Sequence, residues 1–173
     1  SKKFLCIPVV HEVSAVIATE YFNESNRQGG KAFALVTTGP GLTNSITGIT
    51  GAWLESRDCL IVGGQVKQAD LATPGLRQKG IQEVDGTVLV QSITKGTIRI
   101  EVPIDRKSVC DLISLGESPR RGPVFIEICI DASAAPASPN YEASSELDKN
   151  SKNITSTLAE GDLLELRKLL SLS

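Results

Sequence analysis

Short apolar runs recur along the chain, separated by helix-length or turn-rich polar intervals: KFLCIPVV (3–10), AFALVTT (32–38), CLIVGG (59–64), TIRIEV (97–102) and PVFIEICI (123–130). Most are continuous rather than alternating, the pattern of strands buried on both faces of a parallel sheet. The first interval, residues 12–26, places Val13, Val16, Ile17 and Tyr21 at helical spacing, which predicts an amphipathic helix beginning at Glu12. The second opens on Gly39-Pro40-Gly41 and continues through Leu42, Ile46, Ile49 and Trp53, again about one turn apart. Strand, helix, strand, helix, strand predicts an α/β fold, a three-layer parallel sheet flanked by helices.

After the third run the chain enters a long polar stretch, residues 63–86, rich in glycine; loops of that length in a compact domain are usually functional or partly helical. Beyond the fifth run the composition turns to Ser, Ala, Asn and Pro. The expected organisation is an α/β domain over 1–132, a linker over 133–158, and at 159–173 the leucine-rich opening helix of a further domain. The chain enters its first apolar run with almost no preamble, so the domain is expected to be a fragment, incomplete at its N-terminus.

Composition narrows the class. With 173 residues, 40% hydrophobic and 22% charged, the chain can bury one real core. A formal net charge of -2 gives no basic field for a nucleic acid or an anionic membrane surface. No run approaches the roughly 18–20 apolar residues of a membrane span. The four cysteines are scattered, without C-x-x-C spacing, and are expected to be reduced core residues of a cytoplasmic protein. A metal site is hard to assemble around a lone histidine, His11.

In a parallel sheet, ligands bind where strand ends meet helix N-termini. Three turns fall on that edge: His11-Glu12, TTGPGLTN (37–44) and GGQV (63–66). Glycines 39 and 41 keep the backbone bare for close approach, and Thr43 or Asn44 is placed to cap the helix that follows. The turn matches neither the G-x-G-x-x-G fingerprint nor a P-loop, which disfavours nucleotide phosphate. Taken by itself, Glu12 in a first helical turn complements the macrodipole for roughly 0.3–1 kcal/mol.

The ordered set VVHEVSAVIATEYF, LVTTGPGLTNSITGITGAWLES, LIVGGQV, GIQEVD, SITKGT and RRGPVFIEICID resembles the N-terminal pyrimidine-binding domain of thiamine diphosphate-dependent enzymes of the acetolactate synthase and pyruvate oxidase type. The resemblance implies a catalytic role for Glu12, hydrogen-bonded to N1′ of the cofactor's aminopyrimidine in a desolvated site at a strand end, and for Gln82, reaching the reactive face from the long loop. It implies cofactor contacts from Thr37, Pro40 and Asn44, and a structural rather than catalytic place for His11. The substrate would be a 2-keto acid or another carbonyl compound, decarboxylated and joined to an acceptor. The diphosphate and its Mg2+ would be held by a Gly-Asp-Gly…Asn motif of a C-terminal domain, a motif this chain lacks; a homodimer or homotetramer is therefore implied, and the chain by itself would be inactive. The resemblance leaves FAD open. Where acetolactate synthases usually carry an aromatic residue before the glutamine, this chain has Ile81, which bears on substrate choice. Two other readings are a non-catalytic assembly or small-ligand-binding module of the same fold, and a generic flavodoxin-like domain.

Overall fold

The computed structural model describes residues 4–26 and 29–136. The expected linker beyond residue 136 and the expected helix at 159–173 lie outside the described residues. Four strands form the sheet: β1 (Phe33–Val36), β2 (Leu60–Gln65), β3 (Gly96–Ile100) and β4 (Val124–Cys129). All pairings are parallel, in the order β1-β2-β4-β3. Five α-helices accompany them: α1 (Glu12–Ser25), α2 (Pro40–Leu54), α3 (Gly86–Val90), α4 (Arg106–Glu117) and α5 (Ile130–Ala134).

Register explains the layers. Ala34, Ile61 and Phe125 are aligned across β1, β2 and β4, and all three belong to one buried cluster with Val16 of α1, Leu42, Ile49 and Ala52 of α2, and Val90 of α3. Each fully buried aliphatic side chain here contributes roughly 1.5–3 kcal/mol. The Phe125 ring lies over Gly63, where a Cβ would sit 3.0 Å from it. Val124, one residue earlier, faces the other way and packs against Gly116 of α4, while Gly96 of β3 packs beneath Leu112 and Leu115 of the same helix. Helices α1–α3 thus cover one face, and α4 covers β3 and β4 on the other.

The sequence pattern missed α4. Its signal is the Asp105 cap, which accepts from the Ser108 amide at 2.9 Å and from the Ser108 hydroxyl at 2.8 Å, ahead of Val109, Leu112 and Ile113.

Three expectations change. Residues 4–10 form no strand: Phe4 is 77% exposed and Val10 fully exposed. Among the described residues no strand pairs with this segment, and Pro8 within it has no N–H for a ladder. Second, α1 begins at Glu12 as expected but buries Val16, Thr19 and Glu20, leaving Ile17 and Tyr21 exposed. The reason is a tertiary partner: Arg57 donates to Glu20 at 3.1 Å, and the Thr19 hydroxyl is satisfied by the Ala15 carbonyl at 2.8 Å. Third, β1 is an edge strand with Phe33 and Leu35 exposed, because α4 sits over β3 and β4. Likewise only Cys59 and Cys129 are core cysteines; Cys6 and Cys110 are exposed, and all four are free thiols.

Candidate functional site

The end of β1 runs through Thr37 and Thr38 into Gly39, where α2 begins. Gly39 has φ +59°, and a Cβ there would lie 2.2 Å from the backbone carbonyl oxygen of Gln82. Glycine is therefore required twice, for the left-handed backbone and for the close approach of the long loop. Pro40 occupies the first helical position, where its missing N–H costs nothing. Gly39 is the N-cap and no side chain caps the helix. This corrects the expected cap: the helix starts at Pro40, so Thr43 closes the first turn and Asn44 opens the second. The Thr43 hydroxyl donates to the Pro40 carbonyl at 3.2 Å, and Asn44 is free to face outward.

Asn44 faces Glu12. Its Nδ2 donates to Glu12 Oε2 at 3.2 Å. The other carboxylate oxygen, Oε1, is 3.7 Å from where a Cβ on Gly41 would stand, and Thr37 Cγ2 lies 2.6 Å from the same point. Glu12, Thr37, Pro40, Asn44 and Gln82 thus gather around two buried glycines, a shelf whose bare backbone is closed over by the Thr37 methyl at Gly41 and by the Gln82 carbonyl at Gly39. Gln82 is exposed and itself holds a positive φ of 58°, a conformation that costs a non-glycine residue about 1 kcal/mol.

Glu12 is half-exposed and does not stand at the end of a buried strand as expected, because residues 4–10 form no strand. Its carboxyl is held below the ordinary value of 4.5 by its own backbone N–H, by the Asn44 amide and by the charge of His11, against a weaker opposing effect of burial. His11 is the N-cap of α1, its Nδ1 accepting from the Val13 amide at 3.4 Å, a structural position.

The residues that shape the loop were not singled out from the sequence. Gln65, at the end of β2 and 4% exposed, donates to the Val84 carbonyl at 2.8 Å and accepts from the Val66 amide at 2.8 Å and the Thr38 hydroxyl at 3.4 Å. Glu83 accepts from the amides of Ala72, Lys79 and Gly80 at 2.5–2.9 Å. Burial pushes its carboxyl up, and those three donors outweigh that and hold it below the ordinary value. Glu127, inside β4 and 1% exposed, accepts from the Gly86 amide at 3.1 Å and from Arg99 Nε at 2.5 Å. Arg99 also reaches Asp85 at 2.6 Å. Burial pushes the Glu127 carboxyl up, against the opposing guanidinium. A lone carboxylate in the apolar run FIEICI was the available signal, since a buried charge requires a partner.

None of the five candidate residues lines either of two cavities among the described residues. One of about 110 Å3 lies beneath the strand starts Phe33, Leu60 and Val124, at the opposite end of the sheet, where Lys31 pairs with Asp58 and with Glu117. The other, an open depression of about 490 Å3, lies beside the loop between Arg77 and Leu89. Among the described residues no group of three or more His, Cys, Asp or Glu could hold a metal ion, and no helix is long and apolar enough to cross a membrane.

Comparison with known proteins supplies a family. Residues 1–89 match the model described as thiamine pyrophosphate enzyme, N-terminal TPP binding domain. The chain is 34% identical over 123 residues to 2-hydroxyacyl-CoA lyase 2 of Caenorhabditis elegans, covering 70% of this chain and 18% of that protein. It is 27% identical over 162 residues to the chloroplastic acetolactate synthase of Arabidopsis thaliana (93% and 23%), and 32% identical over 124 residues to the acetolactate synthase large subunit of Lactococcus lactis (71% and 20%). The chain spans about a fifth of the length of these relatives.

Proposed function

The chain belongs to the thiamine pyrophosphate enzyme family, as its N-terminal TPP binding domain, and from that premise we propose that it supplies the pyrimidine-holding half of a thiamine diphosphate site. The enzyme would act on a 2-keto acid or related carbonyl compound, by decarboxylation and carboligation. The observation that carries this reading is the Glu12–Asn44 contact at 3.2 Å beside the shelf over Gly39 and Gly41.

The residues present fit half of the cofactor. The missing side chain at Gly41 lets Thr37 and Glu12 Oε1 close in on the turn, and a flat ring seated against them would meet Thr37, Pro40 and Asn44. Thiamine diphosphate, when bound, supplies a carbon nucleophile for cleaving or forming bonds beside a carbonyl. Glu12 Oε1 would hold a proton at a ring nitrogen, while Asn44 keeps Oε2 and so fixes the plane of the carboxylate. Gln82 would reach the reacting face. A covering surface is needed to exclude water and bring the Glu12 carboxyl up toward the ring's proton affinity. A second copy of the chain in a homodimer or homotetramer supplies that cover, and diphosphate with Mg2+ would be held on residues outside those described. Four free thiols suit a cytoplasmic setting. The relatives' names divide between synthase and lyase; Ile81, 85% exposed ahead of Gln82, stands where that choice would be felt.

The test is Glu12→Gln in the assembled enzyme. Exchange of the cofactor's C2 proton should fall by roughly 10²–10⁴ with the circular dichroism spectrum unchanged. An unaltered exchange rate would remove Glu12 from the chemistry and favour the assembly-module reading.

A further inference from the structure

The glutamine of the GGQV turn is a buried polar side chain next to the candidate site. Gln65 is 4% exposed, and its amide bonds to separate backbone and side-chain partners. Its oxygen receives the Thr38 hydroxyl, on the turn that opens the Gly39 shelf, and its nitrogen holds the Val84 carbonyl, two residues beyond Gln82. The two site loops come from different strand ends and touch at Gly39 and Gln82, where a Cβ on Gly39 would meet the Gln82 carbonyl oxygen. The next residues are each gripped: Glu83 by its own clasp, Asp85 by Arg99, Gly86 by Glu127.

We propose that Gln65 is a positioning residue: by bridging Thr38 and Val84 it fixes the spacing between the Gly39–Asn44 turn and Gln82, and so the placement of the Gln82 side chain over the shelf. The inference rests on the reading of Gln82 as a site residue, although the bridge itself is a property of the chain. It assigns a reason for an amide side chain at this position. Only an amide both donates to Val84 and accepts from Thr38 and Val66 without carrying charge into a buried place.

Two variants test it. Gln65→Met keeps the length and removes the bonds to Thr38, Val66 and Val84 together with the one to the buried Glu127 carboxylate; Gln65→Glu keeps the acceptors and, when ionised, loses the donor. In the full chain, amide exchange at Lys79, Gly80 and Gly86 should speed up about tenfold in Gln65→Met, the scale of one net hydrogen bond, while β4 amides keep their protection. In Gln65→Glu the new carboxyl faces Glu127, which Arg99 holds from the other side; the Lys79 and Gly80 amides should exchange faster than in the unsubstituted chain at the same pH when that carboxyl is ionised, and the ratio should return toward one on acidification, as the protonated carboxyl regains a donor for Val84. Loop amides that exchange at the original rate in Gln65→Met, or acceleration spread equally over β4, would overturn the proposal. In the assembled enzyme, Gln65→Met should lower kcat more than it raises KM, and should add nothing further in a Gln82→Ala background; an equal loss in both backgrounds would also overturn it. Full turnover of Gln82→Ala alone would instead sink the role given to Gln82, and the exchange measurements would still decide whether Gln65 sets the loop.

Discussion

Glu12 and Asn44 are 32 positions apart and meet because each sits near the start of its helix on the same edge of the sheet. That contact leaves a measurable mark on Glu12. With its own N–H and the Asn44 amide as donors, the folded carboxyl titrates below 4.5. A depressed carboxylate stabilises the fold above its unfolded value, and that contribution is lost as pH falls through the folded value. Carboxyl-carbon NMR titration should find Glu12 below 4.5 in this chain, and Asn44→Ala should move it upward. An Asn44→Ala titration that coincides with that of the unsubstituted chain would show that the amide does not hold the carboxylate. The residue type and helical position of Glu12 were legible from the sequence. The strand expected before it is not there, since residues 4–10 form none.

At the scale of elements, the α1–α2 contact decides whether those two helix starts meet. Gly48 of α2 faces Val16, and a Cβ there would stand 2.8 Å from Val16 Cβ and 3.3 Å from the Val13 carbonyl. Gly51, one turn along, has nothing within 4 Å of the same construction. Helix propensity alone treats both alike and gives alanine an advantage of about 1 kcal/mol. Packing separates them: Gly51→Ala should stabilise by up to about 1 kcal/mol, and Gly48→Ala should destabilise by about 1–3 kcal/mol through overpacking. Urea unfolding of the two variants reads the signs directly. Stabilisation by both would mean that α1 shifts freely and that the close approach imposes nothing on the site. The amphipathic spacing located both helices, yet it selected Ile17 and Tyr21 for the core of α1, whereas the Arg57 partner draws Glu20 inward instead.

Across the whole molecule, the sheet sorts side chains by reactivity as well as polarity. Burial pushes the Cys59 thiol up to about 12 and the Cys129 thiol up to about 11, while Cys6 and Cys110 are exposed. A disulfide exchange reagent should therefore titrate two thiols rapidly in the native chain and the other two only on unfolding; four fast thiols would mean that the core around Ile61 and Phe125 opens readily. The sequence by itself determined the α/β class, four of the five expected strands, the start of α1 and the Gly-Pro-Gly turn. Those features are set by periodicity and by residues adjacent in the chain. Only the tertiary structure decided that residues 4–10 stay unpaired, that α1 rotates its buried face toward Glu20, that Gln82 is packed against Gly39, and that Gln65 bridges their two loops. Each of these depends on atoms brought within a few ångströms of each other from distant parts of the chain, and no local pattern of hydrophobic and polar residues records such distances.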